Sequence, residues 1–159
     1  MDSKNYILCF KNQFLQDNTP PLFSPSYMLY YIPKPKMLRY IFHPKGAKIM
    51  RILNIHGYNG STENSAYKAL AKLGHEIISP AFDYENESPD DIMGRLSRLA
   101  DDEHPDIIVG TSLGGFYAAA LSVKSDIPVI LVNPFLMAFL AFPEYTKYMI
   151  GLFSPSLNI

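Results

Sequence analysis

The chain has 159 residues, 48% of them apolar and 18% charged, and its net charge is −1. That balance fits one globular domain and leaves no electrostatic footprint for nucleic acid. A single cysteine, Cys9, excludes an internal disulfide framework and a cysteine-based metal site, and no pair of histidines has metal-ligand spacing.

The first residues, Met1 to Asn5, lack the basic region and apolar stretch of a signal peptide. No run approaches the ~18 apolar residues of a membrane span. The expectation is a cytoplasmic protein with no membrane span, no nucleic-acid partner and no cofactor.

Residues 1–49 differ from the rest. They hold six of the thirteen prolines and a cluster of tyrosines at 27, 30, 31 and 40. Neither a helical nor a strand period persists, and proline at this density breaks helices and central strands. They read as an irregular, solvated N-terminal arm, tinted basic by Lys34, Lys36, Arg39, Lys45 and Lys48. Met50 directly precedes the first convincing strand, which makes it a candidate natural start with the arm as an upstream extension.

From Met50 the pattern becomes regular. Arg51–Ile55 is a short buried strand that ends in the Gly-rich loop His56-Gly57-Tyr58-Asn59-Gly60-Ser61. A helix is predicted over 64–73, stopped by Gly74, and a second strand over His75–Pro80. Ser88 caps the next helix, with Pro89 at its first position and Asp90 and Asp91 in its first turn. Asp106–Val109 is the third strand. The helix after Ser112 repeats Phe116, Ala119, Ala120 and Val123 at helical spacing. Ile127–Val132 is the fourth strand, ended by Asn133-Pro134. Four strands alternating with three helices predict an α/β fold: a parallel sheet with helices on both faces, over 50–134. The remainder, 135–159, opens on the apolar run Phe135–Phe142 and reads as an apolar tail, a helix over a sheet face being the leading interpretation.

The motif that carries chemistry is Gly110-Thr111-Ser112-Leu113-Gly114, set between the β-branched run Ile107–Val109 and an Ala-rich helix. A serine on a strand–turn–helix junction is a nucleophile elbow when the positions two before and two after it are small. Gly110 and Gly114 meet that demand. An N-cap serine would not need a glycine on each side. The Ser112 hydroxyl then stands at a helix N-terminus, whose dipole favours an oxyanion. The His56–Ser61 loop also follows a strand end, and ligands in such folds bind at the carboxyl edge of the sheet.

Residues 50–134 resemble the YqiA-like family of small bacterial α/β-hydrolase esterases. The resemblance rests on Leu53–Ser61, Val109–Ala118 and Pro128–Pro134, in that order and spacing. It implies a partial α/β-hydrolase fold and a serine esterase acting on a small-molecule ester. Ser112 matches the nucleophile. The backbone N–H groups of Tyr58 and Leu113 match the oxyanion hole, and His56 and Gly57 support the oxyanion loop.

One departure is large. In this fold the acid and then the histidine follow the serine. Here His43, His56, His75 and His104 all precede Ser112, and the only acids after it are Asp126 and Glu144. Where some hydrolases place their acid, after the fourth strand, stands Asn133. No catalytic acid or histidine is therefore identified, no metal ligands are assigned, and the chain reads as the front part of the fold. His56 lies near the serine in this fold, but its expected role is a hydrogen bond that holds the loop. Asp83 reads as a solvated loop acid. Two functions follow: a serine esterase in incomplete form, or a catalytically inactive remnant or acyl-binding module. Sheet edges left without partners would favour self-association.

Overall fold

A computed structural model describes residues 7–10, 49–125, 127–141 and 143–148. Five strands form one parallel sheet: β1 (Ile7–Phe10), β2 (Arg51–Ile55), β3 (Glu76–Ile78), β4 (Ile107–Thr111) and β5 (Val129–Val132), in the order β1-β5-β4-β2-β3. Three helices connect the last four strands: α1 (Ser65–Lys72), α2 (Pro89–Glu103) and α3 (Leu113–Lys124). The expected α/β architecture is the observed one.

Alternation along the strands assigns side chains to the two faces. On one face Ile52, Ile107, Val109 and Ile130 pack with Ala66 and Leu70 of α1. On the other, Leu53, Ile55, Ile108 and Leu131 pack with Ile92 and Leu96 of α2 and Phe116 and Tyr117 of α3. Both strands central to the site are buried along most of their length, as parallel strands covered on two sides must be.

The helix ends follow their caps. Asn64 accepts the Tyr67 N–H at 2.8 Å to start α1, and Gly74, at φ +80°, turns the chain out of it. Ser88 accepts the Asp91 N–H with Pro89 behind it, and His104 closes α2 in a left-handed conformation at φ 45°. Helix α3 differs from the single stripe read from the sequence. It is buried on all sides from Leu113 to Ser122, while Val123 is partly exposed.

Two expectations change, those on the arm and on the sheet edge. The irregular arm does not hold for Ile7–Phe10, which pair residue for residue with Val129–Val132 of β5; proline density across 1–49 hid four residues of strand. The remainder of that arm, His43 included, lies outside the described residues, as does Asp126. The β5 edge expected to be open for self-association therefore carries β1. The apolar tail, as far as it is described, is a covering element. A short helix, α4 (Ala138–Ala141), and a 3-10 turn, Pro143–Tyr145, bring Tyr145 into the core beside Phe116 and Tyr117. Lys147 and Tyr148 then bind the Asp90 carboxylate at the start of α2.

The β1 pairing has a measurable consequence. Each ladder hydrogen bond contributes a net ~0.5–1.5 kcal/mol. Deleting residues 1–10 removes a four-residue pairing and is expected to cost about 2–5 kcal/mol. Urea denaturation of the shortened chain checks this.

No helix among the described residues is long and apolar enough to cross a membrane.

Candidate active site

The site is built where β2 and β4 end side by side. Ile55 pairs with Gly110, and Thr111 with Val132, so the loop after Ile55 and the turn after Thr111 leave the same edge of the sheet. Ser112 occupies that turn with φ 53° and ψ −120°. A residue with a Cβ rarely holds this backbone conformation, and it persists only where the surroundings enforce it. They do so here. The Ser112 N–H donates to the Val132 carbonyl at 3.0 Å, and the Ser112 carbonyl accepts the N–H groups of Gly115 and Phe135, both at 2.9 Å. The serine is thereby pinned to β5 through its backbone. Its hydroxyl receives no side-chain capping bond.

The glycines around it are sites of contact. A Cβ on Gly110 would lie 2.5 Å from both the Ala118 Cβ and the Gly114 carbonyl oxygen. A Cβ on Gly114 would fall on the carbonyl oxygens of Ile55 and His56. The demand for a small residue at Gly114 thus comes from the end of β2. Gly115, which the sequence reading did not single out, abuts Pro134, its added Cβ 2.8 Å from the Pro134 Cβ. Gly57 faces the serine itself, with an added Cβ only 2.9 Å from Ser112 Cβ. The loop and the elbow thus meet at van der Waals contact with nothing but glycine between them.

The loop is a tight turn. The Gly60 N–H donates to the Gly57 carbonyl at 2.9 Å, and Asn59 adopts φ 51°. Tyr58 stands within this turn, and no turn or loop bond among the described residues uses its N–H. Leu113 opens α3, where the first N–H groups have no intrahelical acceptor.

His56 holds the turn from below. It is 2% exposed. Its Nδ1 lies 2.8 Å from the Gly57 carbonyl, and its Nε2 lies 3.1 Å from the Phe82 N–H. A carbonyl only accepts and an N–H only donates, so Nδ1 carries the proton and Nε2 the lone pair. Both ring nitrogens are committed to backbone.

The segment after β3 supplies the rest of the support. The Tyr84 hydroxyl donates to the His56 carbonyl at 2.6 Å. Its ring meets His56 edge-on and stacks toward Tyr58, whose own hydroxyl donates to Glu85 at 2.8 Å. Burial pushes the Tyr84 phenol well above the ordinary range, and the hydrogen bond to Glu85 raises Tyr58. Tyr84 left no signal in the sequence, because it acts across 28 residues through one hydroxyl. Replacing it with Phe strands the His56 carbonyl, and a buried acceptor left unmade costs ~1–3 kcal/mol. Tyr84→Phe is expected to lose that much, read from a denaturant midpoint.

Asp83 is a loop acid. It accepts from the N–H groups of Glu85 and Asn86 and from the Asn86 side chain, and these bonds hold its carboxyl below the usual range. Glu87 accepts the Asp83 N–H at 2.7 Å, pairs with Arg95 and is lowered likewise. A lowered carboxylate stabilises the fold above its unfolded value, about 4, and that contribution disappears as pH falls through the folded value. Loop 81–88 is therefore expected to loosen first on acidification, seen as faster amide exchange there than in β2 or β4.

The other described histidines, His75 and His104, stand apart from the serine. His75 Nδ1 takes the Met50 N–H at the start of β2, the opposite end of the sheet, and His104 is an exposed helix cap. Asn133 follows β5 beside the elbow with φ 44°. No three acids, cysteines or histidines among the described residues could share a metal ion.

A model of the uncharacterised protein family UPF0227 matches residues 51–149. The match runs through β2 to β5, the turn at Ser112 and the described residues after 134, beyond the 50–134 over which the sequence resemblance was drawn. No curated protein matches the chain.

Proposed function

We propose, from the premise that the chain belongs to the uncharacterised protein family UPF0227, that it is a serine hydrolase of the carboxylic-ester type with Ser112 as nucleophile. The family is the one to which the YqiA-like esterase resemblance points. The observation that carries the reading is the Ser112 backbone, held at φ 53° and ψ −120° between a strand end and a helix N-terminus. An ordinary capping serine sits in an extended conformation, as Ser88 does at φ −69° and ψ 153°.

In this reading the Ser112 Oγ attacks the acyl carbon of a small-molecule ester. Charge collects on the former carbonyl oxygen. The Tyr58 and Leu113 N–H groups meet it, in a position favoured by the dipole of α3. Loss of one such donor elsewhere costs ~2.7–4 kcal/mol in the transition state. Gly57 lets the loop approach the serine; His56 and Tyr84 hold the loop in place.

The test is release of nitrophenolate from p-nitrophenyl acetate by the wild-type chain and by Ser112→Ala. Release that depends on Ser112 supports the reading, and equal release by both chains removes it.

The alternative reading is an acyl-binding module that does not turn over. It is favoured by one observation: both nitrogens of His56 are held by backbone groups.

A further inference from the structure

We infer that Ser112 accepts an acyl group from an activated ester or thioester and then retains it, so that the protein acylates itself. The inference rests on the reading of Ser112 as nucleophile and concerns what happens after its attack.

The two halves of ester hydrolysis make different demands. In the first, the Ser112 Oγ forms a bond to the acyl carbon, and the bond from that carbon to the leaving oxygen or sulfur breaks. The leaving group takes the electron pair as a phenolate or thiolate, and the serine proton passes to water. A phenolate or thiolate departs without a proton donor, so this half needs only that solvent take the serine proton, and an oriented hydroxyl and an oxyanion hole carry it at the ~10³–10⁴-fold over water that remains when a triad member is missing. In the second half, water must be deprotonated as it attacks, and the leaving group is a serine alkoxide that must be protonated. That half needs a base and acid beside the serine.

Among the described residues, the groups nearest Ser112 do not supply one. The Nε2 lone pair of His56 is taken by the Phe82 N–H, and its Nδ1 proton is held by the Gly57 carbonyl. Freeing either nitrogen would break one of the bonds that hold the loop facing the serine. The Tyr84 and Tyr58 hydroxyls act as donors, to the His56 carbonyl and to Glu85, and both phenols are pushed up, away from ionisation. Asp83 is occupied by Glu85 and Asn86. His75 serves the opposite end of β2 and His104 caps α2. Within the described residues, acylation is therefore provided for and deacylation is not.

The test treats the full chain with p-nitrophenyl acetate, follows nitrophenolate, removes the ester, and measures the intact mass and the modified peptide over time. Ser112→Ala and Ser112→Gly are run beside it; glycine is at ease at positive φ and guards against a misfolded control. The expected result is a burst of one nitrophenolate per chain and one acetyl group on the peptide containing Ser112. That group persists for hours after the ester is removed and is absent from both variants. Continuous Ser112-dependent release with no lasting adduct would overturn the inference while leaving the esterase reading in place. No Ser112-dependent release and no adduct would overturn both.

Discussion

Gly114→Val is expected to be the most damaging single substitution in the chain, costing ~3 kcal/mol or more, the upper end of overpacking penalties. The first added carbon already falls on the carbonyl oxygens of Ile55 and His56. Those atoms are backbone at the end of β2 and cannot rotate away as a side chain could. Relief requires moving α3 off the sheet or bending the His56–Ser61 loop, and Gly57 already lies against Ser112 on the other side. Gly114→Ala should show the same defect, since the collision begins at Cβ. Thermal denaturation of both variants against wild type is the measurement. A variant with an unchanged midpoint would mean that β2 and α3 are not packed as described.

His56→Ala is expected to have the second-largest effect, and to have it on stability. Removing the ring leaves the Phe82 N–H without its partner in a site that is almost fully buried, while the Gly57 carbonyl keeps the Gly60 N–H. A buried donor left unsatisfied costs ~1–3 kcal/mol and the cavity left by the ring adds to it, so the loss is expected to reach about 3 kcal/mol. Thermal denaturation of His56→Ala against wild type is the measurement. A His56→Ala protein that is as stable as wild type but has lost Ser112-dependent acylation would identify His56 as the base.

How much was legible in the residue string differs from element to element, for physical reasons. The strands and helices of the parallel sheet were readable because burial on two faces forces apolar runs, and because Asn64, Gly74, Ser88 and Pro89 mark the helix ends locally. The elbow was readable for the same reason: Gly110 and Gly114 record in sequence a contact that tolerates no side chain. The short strand Ile7–Phe10 was not readable, because four residues carry little period and the prolines after them dominate the composition. The role of the tail escaped as well, since the Tyr145 packing against Phe116 and Tyr117 depends on a chain reversal that no local pattern encodes.

The sequence by itself determined the α/β class, the alternation of strands and helices along the chain from residue 51 and the placing of Ser112 between a strand and a helix, because these follow from periodicity and from short-range steric demands. Only the tertiary structure decided what the preceding histidine does. His56 could be named as a loop support from resemblance, yet its proton and lone pair are assigned by a carbonyl one residue away and an N–H 26 residues away. The partner of Gly114, the Tyr84 hydroxyl on the His56 carbonyl and the strand on the β5 edge were decided in the same way. Each joins segments far apart in the chain, and contacts of that kind leave no periodic trace in the residues that make them.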